Sequence, residues 1–132
     1  MSTSIRPELL LVRGLPGAGK STFARHFAAL GWLHLETDQF FIKENGVYGF
    51  EASRLGEAHS WCIQKAEEAL SAGTSVVVSN TFVTRSEVEP YRMTAAKVGA
   101  RLTVVTVEGL HPSEHGVPNS VRADMRAKWE SL

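Results

Sequence analysis

The stretch Leu9–Thr22 reads LLLVRGLPGAGKST. Leu9-Leu10-Leu11-Val12 is an apolar run of strand length, closed by Arg13 and Gly14, so a buried strand is expected there. From Gly14 onward, GLPGAGKST matches G-x-x-x-x-G-K-S at Gly14, Gly19, Lys20 and Ser21. Beyond it, Phe23, Phe27 and Leu30 recur at helical spacing from Lys20 to Leu30, and Gly31 marks the stop. A strand, a glycine-rich turn and a helix in that order form an anion cradle. The glycines let backbone N–H groups turn inward, and the helix adds the positive end of its dipole.

Each side chain in the loop has a part in this reading. Pro16 stiffens the turn, Lys20 offers a point charge to outer phosphates, and Ser21 offers a hydroxyl to Mg²⁺. Gly14, Pro16, Gly17, Ala18, Gly19, Lys20, Ser21 and Thr22 are therefore candidate contacts for a nucleoside triphosphate, ATP by expectation. A dinucleotide loop would need G-x-G-x-x-G, but the sixth place counted from Gly17 is Thr22, and Lys20-Ser21 decide against it.

The remainder alternates between strand and helix. WLHLE (32–36) reads as a second strand and an irregular stretch with a turn signal at Asn45-Gly46 follows. Ser53–Ser71 reads as a helix with Leu55, Ala58, Cys62, Ala66, Ala69 and Leu70 on one face. TSVVVSN (74–80) is a β-branched buried strand. A helix spans 84–100, with Pro90 as a candidate start, then a fourth strand RLTVVTVE (101–108) and a last helix from about Asn119 to Trp129. The expected architecture is α/β: a three-layer P-loop NTPase fold with a short parallel sheet of about four strands and flanking helices. No fifth strand is evident.

Composition bounds the class. The 132 residues suit one domain, residues 1–132, and 43% apolar content supports a core. Fourteen basic residues balance fourteen acidic ones, which argues against a protein that tracks long nucleic acid. The single cysteine, Cys62, excludes an internal disulfide and a Cys-based zinc site. No apolar run reaches the ~20 residues of a membrane span, and MSTSIRPE lacks a secretory pattern, so a cytoplasmic protein is expected.

Three features address where a held phosphate goes. Asp38 in LETDQFF follows the second strand, where ligands gather in open parallel sheets. It can take a proton from an attacking hydroxyl or hold a metal-bound water, or Thr37 and Asp38 can cap a turn. Ser79-Asn80 ends the third strand where many P-loop enzymes carry an acid for Mg²⁺, and neither residue brings charge. Arg122 and Arg126 share one face of the last helix and suit a clamp on phosphate oxygens, with an Arg126–Glu130 surface pair as the alternative. Val121, Met125 and Trp129 lie on another face, expected against the core. His34 and His59 read as structural, His111 and His115 have no metal spacing, and Phe40, Phe41, Tyr48 and Phe50 read as loop packing. Arg85 is a weaker candidate for an acceptor phosphate.

GLPGAGKST, TDQFF with NGVYGF, EAHSWC, VVVSNTFVT, PYRMTAAKVGA and HGVPNSVRADMRAKWE together give a resemblance. The chain resembles the P-loop kinases grouped with phage polynucleotide kinase, the AAA-domain or zeta-toxin-like ATP-binding proteins, and the branch with the kinase-like domain of Nedd4-binding protein two. The resemblance implies an ATP-dependent phosphotransferase, with Asp38 facing the acceptor hydroxyl and lid arginines, Arg122 or Arg126, on ATP. It implies a nucleotide or an oligonucleotide 5′-hydroxyl as acceptor. Many relatives carry Asp where Ser79 stands. The alternative is a nucleotide-binding module or weak NTPase that acts through a partner protein.

Overall fold

Parallel strands need long crossovers, and the stretches between the apolar runs supply them as helices. The computed structural model describes residues 6–42, 49–109 and 119–132. Its elements are β1 (Glu8–Arg13), α1 (Lys20–Ala28), β2 (Leu33–Leu35), α2 (Thr37–Phe40), α3 (Leu55–Ser71), β3 (Val76–Asn80), α4 (Arg85–Val98), β4 (Arg101–Thr106) and α5 (Asn119–Lys128). A single 3-10 turn at Ala52–Arg54 leads into α3. The four strands are all parallel, in the order β2-β3-β1-β4. Leu11 lies in register between Val78 and Val104, and Leu35 lies beside Val78.

Strand alternation divides the core in two. Leu9, Leu11, Leu35, Val76 and Val78 pack with Cys62, Ala66 and Leu70 of α3 and with Val88, Tyr91 and Ala95 of α4. On the opposite face, Leu10, Val12 and Val77 pack with Ala24, Phe23 and Phe27 of α1 and with Trp32. Burial on both faces is why β1 and β3 read as unbroken apolar runs rather than alternating ones.

Several expectations shift. Pro90 lies within α4 and does not start it. The start is set by Glu87, whose Oε2 accepts Thr84 N–H at 2.9 Å. Leu30 is past the end of α1 and 76% exposed, because the chain already turns after Ala28. Leu55 is likewise exposed, whereas Ala58, Cys62, Ala66 and Leu70 are buried as expected.

α5 buries none of its residues, so Val121 and Met125 are not docked on the core. The C-terminal segment is instead held by Arg13. Its guanidinium is 2% exposed and donates to the carbonyls of Phe82 (2.7 and 3.0 Å), Val83 (3.2 Å) and Glu130 (2.8 Å). The same group lies 3.8 Å from the ring centroid of Trp129. Burial pushes the Arg13 pKa down, and the charges of Glu87 and Glu130 oppose this. Phe82 has φ 47°, a left-handed backbone for a bulky residue. Its ring is locked edge-on to Tyr91 at 5.5 Å, and its carbonyl is held twice by Arg13.

Candidate functional site

β1 lies between β3 and β4, so the crossover from β1 runs to β2 on one side of it and the crossover from β3 runs past it to β4 on the other. A crevice opens at the carboxyl end of a strand so placed. The glycine loop starts there. Gly14 is buried, and a Cβ on it would meet the Val107 carbonyl at 2.7 Å, so only glycine lets the end of β1 pass the chain leaving β4. Gly17 and Gly19 have φ 84° and 95°, the left-handed backbone that turns the loop inward. Ala18 N–H closes the turn on the Leu15 carbonyl at 3.0 Å.

α1 opens on Gly19 with no side-chain cap among the described residues and no acid in its first turn. α4 differs: its Arg85 N–H is taken by Glu130 Oε1 at 2.7 Å. The first-turn N–H groups of α1 have no intrahelical partner, and the helix dipole adds positive potential where they lie. Lys20 adds a full charge. Its Nζ donates to the Leu15 carbonyl at 3.0 Å, folded back over the loop. Burial lowers the Lys20 pKa to about 8, against the raising effects of Asp38 and Glu36 and with a further lowering by Arg122. Asp38, Glu36 and Arg122 are thus the charges that bear on Lys20.

Glu36 was missed in the sequence, where it closed the second strand. Its Oε2 accepts Ser21 Oγ–H at 2.9 Å and Ser79 Oγ–H at 3.0 Å. His34 Nε2 lies 2.7 Å from Ser79 Oγ and 3.5 Å from Glu36 Oε2. Burial alone would raise the Glu36 carboxyl, but hydrogen bonds from His34, Ser21 and Ser79 and the His34 charge together hold it at about 2. Only sheet pairing of β2 with β3 brings these residues together.

Asp38 sits on α2, whose first residue is fixed from β3. Asn80 Oδ1 accepts Thr37 N–H at 2.9 Å and Thr37 Oγ1–H at 3.2 Å. Gln39 Nε2 donates to the His34 carbonyl at 3.0 Å. Strand alternation explains the division of labour: Ser79 faces the α1 side, and Asn80 the side of α3 and α4. Behind Asn80, burial pushes the Cys62 thiol up to about 12, which leaves it inert.

On the outer side of the loop a cavity of about 520 Å³ is lined by Gly14, Pro16, Thr106, Val107, Arg122 and Arg126, among others. Arg122 Nε is buried with no hydrogen-bond partner among the described residues. Arg126 is exposed. The alternative Arg126–Glu130 pair gives way to a tertiary contact. Glu130 caps α4 through Arg85 N–H, and its carboxylate lies 3.8 Å from Arg85 Nε. Phe40, Phe41, Phe50 and Trp61 pack on one another, as loop packing requires. Burial lowers the pKa of His59, and Glu87 opposes this. The Asn45-Gly46 turn, Tyr48, His111 and His115 lie outside the described residues.

The donor set near Ser21 is hydroxyl and carboxylate oxygen, which suits a hard divalent cation. No group of three or more His, Cys, Asp or Glu is clustered for a metal among the described residues. No helix among the described residues is long and apolar enough to cross a membrane.

The profile of the AAA domain family AAA_33 matches residues 9–112. The chain belongs to this family. Human NEDD4-binding protein 2 is 41% identical over 86 residues, a stretch that covers 63% of this AAA_33 chain and 5% of the human protein. An uncharacterized protein of Pasteurella multocida is 30% identical over 132 residues, covering 89% of the chain and 73% of that protein. Among solved structures, the Pnkp1/Rnl/Hen1 complex matches with a TM-score of 0.67 at 21% identity, over 93% of this chain and 40% of that one. A gluconokinase from Sinorhizobium meliloti matches with a TM-score of 0.63 at 24% identity, over 96% and 77%. The four-stranded parallel sheet with flanking helices is the P-loop kinase fold of these structures.

Proposed function

We propose that residues 1–132 form one ATP-binding domain that transfers the γ-phosphate of ATP to an acceptor hydroxyl. The observation that carries this is the start of α1, with no side-chain cap among the described residues, Lys20 folded across it and two carboxylates, Glu36 and Asp38, acting on that lysine. Bound Mg²⁺·ATP supplies the transferable phosphoryl group. The amides of residues 17–22 cradle the β- and γ-phosphates, and Lys20 leaves Leu15 to neutralise them. Ser21 Oγ is a ligand for Mg²⁺. Asp38 accepts the proton of the acceptor hydroxyl as its oxygen bonds to the γ-phosphorus, and ADP departs. Arg122, whose Nε has no partner among the described residues, and Arg126 meet the charge on the transferring group. The cavity beside Thr106 and Val107 accommodates the nucleoside.

The resemblance to polynucleotide kinase suggests a nucleotide or an oligonucleotide 5′-hydroxyl as the acceptor to try first. Labelled ATP offered with nucleosides, oligonucleotides and small alcohols tests this. Transfer that vanishes in Asp38→Asn while ATP binding persists supports it. ATP binding with transfer to none of them supports the second reading, a nucleotide-dependent module that signals to a partner protein, which the uncharged Ser79 at the end of β3 favours.

A further inference from the structure

A carboxylate inside a phosphate cradle is a physical problem. Glu36 Oε2 is 2.9 Å from Ser21 Oγ, in the first turn of the helix whose amides receive the phosphates. Without an intervening cation its charge would repel a triphosphate. Ser79, where an acid would stand, is neutral, and its hydroxyl proton is given to Glu36 at 3.0 Å. His34 Nε2 lies 2.7 Å from Ser79 Oγ, and in its Nε2–H form it donates there and leaves the Ser79 proton to the carboxylate.

We propose that Glu36, at the end of β2, supplies the carboxylate for Mg²⁺ that β3 lacks at Ser79. The inference rests on the loop being a nucleotide site, as proposed above. Ser21 can hold the ion through an oxygen lone pair while its O–H still donates to Glu36. A carboxylate has about four acceptor positions, so two hydroxyl bonds leave capacity for the ion or its water. The carboxylate thus stands at the end of β2 rather than β3, and Ser79 and His34 orient it. Glu36 and Asp38, two residues apart across the start of α2, then divide the work: one carboxylate for the cation, one for the acceptor proton.

The test uses the full chain, Mn²⁺ as a spin probe and a non-hydrolysable ATP analogue. Mn²⁺ affinity is read by electron paramagnetic resonance with the analogue bound, and analogue affinity is read separately in EDTA. Glu36→Gln should weaken Mn²⁺ at least tenfold while analogue binding in EDTA is unchanged or tighter. Glu36→Gln with Ser79→Asp should regain most of the loss. Mn²⁺ affinity within twofold of wild type in Glu36→Gln overturns the inference. So does a double variant that regains nothing, or an equal loss of metal-free analogue binding. If Glu36→Gln does not fold, Ser79→Asp alone carries the test. A second carboxylate at the Ser79 position should tighten Mn²⁺ at least threefold, and no change overturns the inference. Wild-type protein that binds no analogue at all would instead fell the nucleotide reading on which this one stands.

Discussion

Replacing Lys20 with Met should stabilise the nucleotide-free protein while removing its nucleotide binding. Lys20 is partly buried, and its pKa falls from 10.5 to about 8 because burial disfavours the charge. At ~1.36 kcal/mol per pKa unit, holding that charge in place costs roughly 3 kcal/mol. Met keeps the chain length and removes the charge, but it also gives up the Nζ–Leu15 bond, worth about 1 kcal/mol. Residual solvation of the amine trims the figure further, which leaves a net gain of about 1–2 kcal/mol. For a domain of this size that raises Tm by roughly 3–10 °C. The sign with pH is definite. The unfolded chain keeps this proton up to about 10.5 and the native protein loses it near 8, so native stability recovers as pH rises through that window. The Tm difference between Lys20→Met and wild type should therefore shrink from pH 8 to 10.5. Scanning fluorimetry with and without Mg²⁺·ATP measures both effects. Wild type should gain Tm with ligand and the variant should not. A variant that melts below wild type without nucleotide at pH 7 refutes the reasoning.

Glu36, held at about 2 against an ordinary 4.5, stabilises the metal-free fold above pH 4.5, and that stability drains away as pH falls toward 2. Urea melts in EDTA from pH 5 downward should show Glu36→Gln losing up to roughly 3 kcal/mol less than wild type over this fall. Asp38→Asn should lower phosphoryl transfer by roughly 10²–10⁴ while the ATP Kd stays within threefold, and unaltered transfer removes Asp38 from the role of base. Arg13→Met should cost at least ~3 kcal/mol, because the carbonyls of Phe82, Val83 and Glu130 all lose their buried donor. Urea denaturation followed by far-UV circular dichroism would detect it, and a loss under ~1 kcal/mol contradicts that view of Arg13.

What could be read directly was local in sequence. The loop motif needs only consecutive residues, and helix and strand periods need only a few turns. The four strands and the apolar face of α3 follow from such patterns. The missed features all depend on long-range pairing. Glu36 ended an edge strand with no visible purpose until register placed Leu35 beside Val78 and Ser79 within reach. Arg13 read as the last residue of a strand, yet its partners Phe82 and Glu130 are 69 and 117 residues away. Helical spacing offers Glu130 to Arg126 as an alternative worth only about 0.2–0.5 kcal/mol, and in the fold its carboxylate accepts the N–H of Arg85 instead. Helical spacing groups Trp129 with Val121 and Met125 on one face expected against the core, whereas its ring covers the face of the Arg13 guanidinium.

The central claim is that the loop from Gly14 to Thr22 receives a triphosphate. Titrating the ¹⁵N-labelled chain with Mg²⁺ and ATP, and following amide shifts by NMR, tests it most directly. The amides of Gly17, Gly19, Lys20 and Ser21 should move together and saturate, with the strands at the far end of the sheet still. Amides that stay fixed at saturating ATP, or that move elsewhere, would contradict it.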